Sequence, residues 1–146
     1  MASAHLDRKT ASLVDQVVAL TARSVDRLRP VLRELELSEP AGNLLWSVDP
    51  EAEPAPLRQL AEHLHCDPSN VTLLAARLEE RGLAERRPHP HDGRVRTLVL
   101  TEAGRAARAR LVEQAEATSP FAALTDAEQQ ALHDLLTKAL SSQTTR

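Results

Sequence analysis

The sequence predicts a mainly α-helical fold that carries one small β-hairpin. Apolar residues recur at helical spacing along most of the 146-residue chain. Leu and Ala dominate, and the aromatics are one Trp and one Phe with no Tyr, a composition that favours helix packing over sheet packing. Strand character is confined to Leu83–Leu100, where a turn dipeptide separates two β-prone segments. A chain of this length makes about one domain and can bury a core of its own.

From about Leu6 to Leu28, the residues Leu13, Val14, Val17, Val18, Leu20, Val25 and Leu28 share one helical face. Pro30 is expected to end or kink that helix, because proline lacks an amide hydrogen and crowds the preceding turn. A short helical segment then runs from about Val31 to Glu36. Ser38 caps the next helix, with Glu39 and Pro40 in its first turn and Leu44, Leu45 and Trp46 as its apolar members. Asp49–Pro56 reads as an acidic, proline-rich connector. Leu57, Leu60, Ala61 and Leu64 then form a single stripe at i, i+3, i+4 and i+7. Asp67 suits the N-cap of another helix, its carboxylate accepting from orphan amides, and Pro68 suits the first helical position. Val71, Leu74, Ala75 and Leu78 line the inner face of that helix. Ser69, Asn70, Thr72, Leu73 and Arg77 are left facing outward.

Gly82 falls where a left-handed C-cap is wanted. Two strands, Leu83 to Arg87 and Arg94 to Leu100, are expected to join through Asp92-Gly93, a hairpin dipeptide that accepts positive φ. Thr101 caps a helix from Glu102 to about Thr118, which Pro120 interrupts. Thr125-Asp126-Ala127-Glu128 has the capping-box pattern and opens the last helix, striped by Leu132, Leu135, Leu136, Ala139 and Leu140. The tail from Ser141 is expected to fray. The apolar faces of the first and last helices are too extensive for free surface helices. They are expected to pack together and against a second copy of the chain.

The net charge of −3 conceals an uneven distribution. Arg86, Arg87, Arg94, Arg96, Arg105, Arg108 and Arg110 are opposed within their own stretch only by Asp92 and Glu102. The acids gather on either side of this block. A basic patch of this kind is either a solvated face or the electrostatic footprint of a nucleic acid. One cysteine excludes an internal disulfide, and no stretch approaches the roughly 20 apolar residues needed to span a bilayer. A cytoplasmic location is expected, with no membrane partner. No nucleophile or carboxylate pair has a base at helical spacing, and no glycine loop could cradle phosphate, so no enzyme is expected.

Helix, turn, helix and basic hairpin in that order read as a winged helix-turn-helix. Leu60-Ala61, Asn70-Val71-Thr72, Arg77-Leu78-Glu79, Arg81-Gly82-Leu83, Arg86-Arg87, Asp92-Gly93-Arg94 and Leu100-Thr101-Glu102-Ala103-Gly104 together resemble the MarR family of bacterial transcription regulators. The resemblance implies a winged helix-turn-helix with N- and C-terminal dimerisation helices. Residues 1–37 would be the N-terminal dimerisation region, 38–101 the DNA-binding lobe and 102–146 the C-terminal dimerisation helices. It further implies a homodimer on a pseudo-palindromic operator of double-stranded DNA, acting as a repressor released by a small-molecule effector. Carried over residue by residue, Ser69, Asn70 and Thr72 read bases or phosphates, and Arg77 contacts phosphate. Arg94 enters the minor groove, Asp92 and Gly93 shape the wing tip, and Arg96 and His91 lie beside it. Asp92 is expected to orient an arginine, since a carboxylate near phosphate is repelled.

Two positions depart from the family pattern. Leu73 stands where a polar or small residue is common, and it either meets a thymine methyl or packs on a neighbouring helix. Pro56 stands where Ser or Thr commonly caps the first helix of the motif. Cys66, next to a helix N-terminus, is either a redox sensor or a small buried residue of the turn. His63 and His65 have the wrong spacing for two ligands on one helix face, and His89 and His91 suit DNA backbone contact better than metal. No metal and no cofactor are expected. Trp46 is read as a core residue between the dimer helices and the lobe, with a ligand-stacking role as the alternative. Family members often bind aromatic acids in that crevice, although no tyrosine is available here to help. A different class of function, a winged-helix protein-interaction module with weak or no DNA binding, fits the acidic flanks.

Overall fold

The computed structural model describes residues 8–141. In order, the elements are α1 (Arg8–Glu34), α2 (Glu39–Ser47), α3 (Leu57–His63), α4 (Pro68–Glu80), β1 (Ala84–His89), β2 (Asp92–Leu100), α5 (Glu102–Ala117), a short 3-10 helix (Pro120–Ala123) and α6 (Asp126–Ser141). The expected start of the first helix at Leu6, and the tail beyond Ser141, lie outside the described residues. No helix among them is long and apolar enough to cross a membrane.

The core is built where α2, α4, α5 and the hairpin meet. Leu44, Leu45, Val71, Leu78 and Leu98 are fully buried there, with Ala75, Ala107 and Leu111 filling between them. Thr97 is the one buried polar residue among those described, and its Oγ1 donates to the Arg87 carbonyl at 3.0 Å, so no polar group is stranded. The third-helix stripe is confirmed in Leu60 and Ala61, and the fourth-helix stripe in all four of its members.

Pro30 lies inside α1, and the expected break does not occur. Val31 and Leu32, just beyond it, are buried in the core, and that packing holds the helix through the lost amide. The helix ends instead at Glu34, and beyond it Glu36 takes φ 53 while the Leu37 amide reaches back to the Leu32 carbonyl. Ser38 caps α2 as expected, its Oγ accepting from the Ala41 amide at 3.4 Å. Asp67 sits at the N-cap of α4, but its carboxylate makes no capping bond. Its backbone carbonyl has taken that work, accepting from the Asn70 amide at 3.0 Å and the Val71 amide at 3.2 Å. Gly82 has φ 68 and closes α4, with the Gly82 amide bonded to the Glu79 carbonyl and the Leu83 amide to that of Leu78.

The connector is more than a spacer. Pro56 bridges Thr97 in antiparallel fashion, and the Leu98 amide donates to the Ala55 carbonyl at 3.4 Å. The segment before α3 is thereby tied to the free edge of β2. Thr101 caps α5 through the Gly104 amide at 3.0 Å, and its hydroxyl also donates to the Gly82 carbonyl at 2.6 Å. The capping box at α6 is formed reciprocally between Thr125 and Glu128. Those bonds from Thr125 hold the Glu128 carboxyl below its usual range.

Within one chain α1 packs on α5, while no residue of α6 is buried. The first and last helices therefore do not cover each other's stripes inside the protomer. Leu13, Val14, Val17 and Val18 of α1 and Leu135, Leu136 and Leu140 of α6 all stand exposed.

Candidate nucleic-acid interface

The α3–α4 pair and the hairpin form one continuous face. Burial of Val71, Leu74, Ala75 and Leu78 turns Ser69, Asn70, Thr72, Leu73 and Arg77 outward, and all five are exposed. Leu73 is 55% exposed, so of its two expected environments the structure removes packing on a neighbouring helix. The Thr72 hydroxyl donates to the Pro68 carbonyl at 3.0 Å, which leaves its oxygen lone pairs directed outward. Pro56 supplies no side-chain cap to α3.

The hairpin turn lies two residues earlier than the sequence suggests. His89 pairs with Asp92, so Pro90 and His91 make the turn, and Asp92 and Gly93 belong to β2. Gly93 does not have positive φ. Pro90 presets the backbone angle that a turn needs at its first central position, and a register irregularity at Pro88/His89 accommodates the rest. Asp92 does orient an arginine, but through the backbone, its Oδ1 accepting from the Arg94 amide at 3.0 Å. The acidic connector also reaches the tip, where Glu53 Oε1 lies 3.4 Å from His91 Nε2 and 3.9 Å from His89 Nε2.

Ion pairing divides the basic residues into two sets. Arg81, Arg87 and Arg110 pair with Glu36, Glu85 and Glu34, while Arg105 faces Glu51 at 3.6 Å. Arg108 donates to the Trp46 carbonyl. Arg86 grips Glu79 twice, through its amide and its Nε, each at 2.8 Å. By contrast, no group among the described residues holds the guanidinium of Arg77, Arg94 or Arg96, and all three are exposed. Within the arginine-rich block and the helix before it, the unpaired cations are those on the outer face of α4 and the leading half of β2. Such a distribution presents positive charge where a polyanion could approach, despite a chain that is acidic overall.

The Glu79–Arg86 pair ties the end of α4 to β1. The Arg86 side-chain bond, aided by its amide and its charge, holds the Glu79 carboxyl below its ordinary value, against the opposing pull of burial. A carboxyl depressed in the folded state contributes stability above its unfolded value, and that contribution is lost as pH falls through the folded one. The acid-side loss of urea stability below about pH 4.5 is therefore expected to be shallower in Glu79→Gln than in the wild type. Parallel slopes for the two proteins would contradict the role given to this pair.

Trp46 corrects a further expectation. It is 40% exposed and is not a core residue within the protomer. It lines a cavity of about 410 Å³ between α1, α2 and α5, together with Leu28, Glu39, Asn43 and Phe121. The sequence carried one signal of this, since Glu39, Asn43 and Trp46 recur on one face of α2, but the walls from α1 and α5 come from distant segments. Cys66 is half-buried against the core, as the structural alternative for it implies. Among the described residues, no group of three or more His, Cys, Asp or Glu is placed to hold a metal ion.

Residues 37–95 match the family model described as MarR family. The HTH-type transcriptional repressor IacR of Pseudomonas putida is 28% identical over 116 residues, covering 78% of this chain and 69% of that protein. Among solved structures, CouR from Rhodococcus jostii, bound to p-coumaroyl-CoA, superposes with a TM-score of 0.77 at 25% identity, covering 94% of this chain and 95% of that one. A mutant MarR from E. coli complexed with operator DNA shares the fold with a TM-score of 0.70 at 24% identity, over 94% of this chain and 99% of that one. The helix-turn-helix and the leading part of the wing lie inside the matched segment and the remaining helices follow the fold of the solved regulators, so the chain is similar to MarR family transcriptional regulators.

Proposed function

We propose that the protein is a homodimeric repressor that binds a pseudo-palindromic operator and is released by a small molecule. The observation that carries this reading is the set of exposed, unpaired guanidiniums of Arg77, Arg94 and Arg96 on a face otherwise stripped of free cations by ion pairing. In this reading α4 lies in the major groove, where Ser69, Asn70 and Thr72 meet base edges or phosphates and Leu73 meets a thymine methyl. Arg77 neutralises a phosphate. The wing, with His91, Asp92, Gly93, Arg94 and Arg96 at and behind its tip, reaches the adjacent minor groove.

Residues 1–37 and 102–146 would form the dimer, and 38–101 the DNA-binding lobe. Support for a second copy comes from the exposed stripes of α1 and α6, which leave Leu13, Val18, Leu135 and Leu140 each more than 60% exposed in the protomer. A row of large apolar side chains in water is a feature of helices that meet a partner. Support for an effector comes from the Trp46 cavity and from the ligand carried by the CouR structure. Size-exclusion chromatography with light scattering, run on the protein alone and with a duplex carrying the DNA upstream of its own gene, tests the reading. A free dimer and a complex of one dimer per duplex are expected. A monomer, or a dimer that leaves the duplex unbound at low salt, would contradict it.

A further inference from the structure

We infer that the Trp46 cavity is built for a neutral or cationic amphiphile that donates hydrogen bonds, and that it discriminates against aromatic carboxylates. The inference rests on the proposed role of this cavity as the effector site. Its basis is the inventory of polar groups in the walls.

Glu39 is the one charged side chain among the residues lining the cavity. A second cavity of about 480 Å³ adjoins it through Ser24, Leu28, Ala115 and Phe121 and adds a second acid, Glu116. No Lys, Arg or His lines either space among the described residues. Two neighbouring cations are engaged on backbone carbonyls, Arg27 on that of Thr118 and Arg108 on that of Trp46.

The neutral groups repeat this asymmetry. The hydroxyl hydrogens of Thr21, Ser24 and Thr118 are spent on the carbonyls of Val17, Leu20 and Gln114, at 2.8, 2.9 and 2.7 Å. The Gln129 amide nitrogen donates to the carbonyls of Phe121 and Leu124, leaving its oxygen to accept. Of the side chains in the walls, Asn43, Ser119 and the indole N–H of Trp46 retain donors. The cavity is thus rich in acceptors and poor in donors.

A carboxylate entering it would give up water, find few replacement donors and face Glu39. An ammonium or hydroxyl group would meet the Glu39 carboxylate. Trp46 lines the same cavity from the same face of α2, and the face of its indole attracts cations.

Trp46 is the sole tryptophan, so its fluorescence reports this cavity and nothing else in the chain. Quenching would be titrated in the full-length protein with phenylbutylamine, phenylbutanol and phenylbutyrate, which share one apolar body and differ in the head group. The amine and the alcohol are expected to bind, with phenylbutyrate weaker than the amine by about tenfold, the size of a partly screened charge contact. Glu39→Gln is expected to bring the amine down toward the alcohol, because the substitution keeps the shape and removes the charge. Phenylbutyrate binding as tightly as the amine would overturn the charge assignment while leaving the cavity's role as effector site intact. Quenching by none of the three would overturn the effector-site reading and the inference with it, as would an amine advantage unchanged in Glu39→Gln for the charge argument alone.

Discussion

Gly104→Ala is expected to destabilise the protein by about 3 kcal/mol or more, a large part of the 5–15 kcal/mol that holds a typical domain together. A Cβ at position 104 would fall 1.8 Å from the carbonyl oxygen of Leu83 and 2.8 Å from its carbon. That carbonyl accepts from the Thr101 amide and belongs to a buried residue at the exit of α4. Backbone on one side and the first turn of α5 on the other leave nothing flexible to move aside. The change would open the junction between the recognition helix, the hairpin and α5. Urea denaturation at fixed protein concentration checks this, with Gly93→Ala as the control, since no atom lies within 4 Å of a Cβ there. A Gly104→Ala midpoint equal to that of wild type would contradict the packing described.

Arg94→Ala is expected to lower affinity for the operator by at least about tenfold and to flatten the slope of log K against log salt by about 1. The unfolding midpoint should stay where it is, because the Arg94 side chain is exposed and bonds to nothing among the described residues. Gel-shift titrations over a range of salt separate these effects. Asn70→Ala should behave differently, costing about 1–3 kcal/mol on the correct sequence and little on random DNA, as expected for a lost base contact. Unchanged affinity in Arg94→Ala would remove the wing from the interface. Equal weakening of Asn70→Ala on every sequence would make Asn70 a phosphate contact.

What could be read from the sequence was local. The two faces of α4, the left-handed Gly82, the Thr101 cap and the capping box at Thr125 each depend on residues within one or two turns, so periodicity and cap chemistry suffice. What could not be read depends on residues distant along the chain. Pro30 is carried through α1 because Val31 and Leu32 are anchored in the core. The Asp67 carboxylate is idle because its own carbonyl already serves the first turn. Asp92-Gly93 has the composition of a turn, yet Pro90 immediately before it makes the turn first.

The candidate site divides in the same way. The outward residues of α4 follow from its period, and the arginine-rich block is visible by inspection. Which arginines are free is not visible, since the answer lies with Glu34, Glu36, Glu51 and Glu79 on other elements. The acids of other elements therefore shape the charge of this face, because they pair with the exposed arginines around it and leave Arg77, Arg94 and Arg96 unpaired among the described residues. The exposed setting of Trp46 is hidden from the sequence for a related reason, as its surroundings come from α1, α5 and the 3-10 helix.

The most direct test of the central claim is a footprint of the purified protein on the DNA upstream of its own gene. The account predicts protection of two half-sites related by a two-fold axis, with centres about one helical turn, or roughly 34–36 Å, apart. It also predicts that protection is lost as salt rises and is absent for Arg94→Ala. A single unpaired patch of protection, or none at low salt, would contradict it.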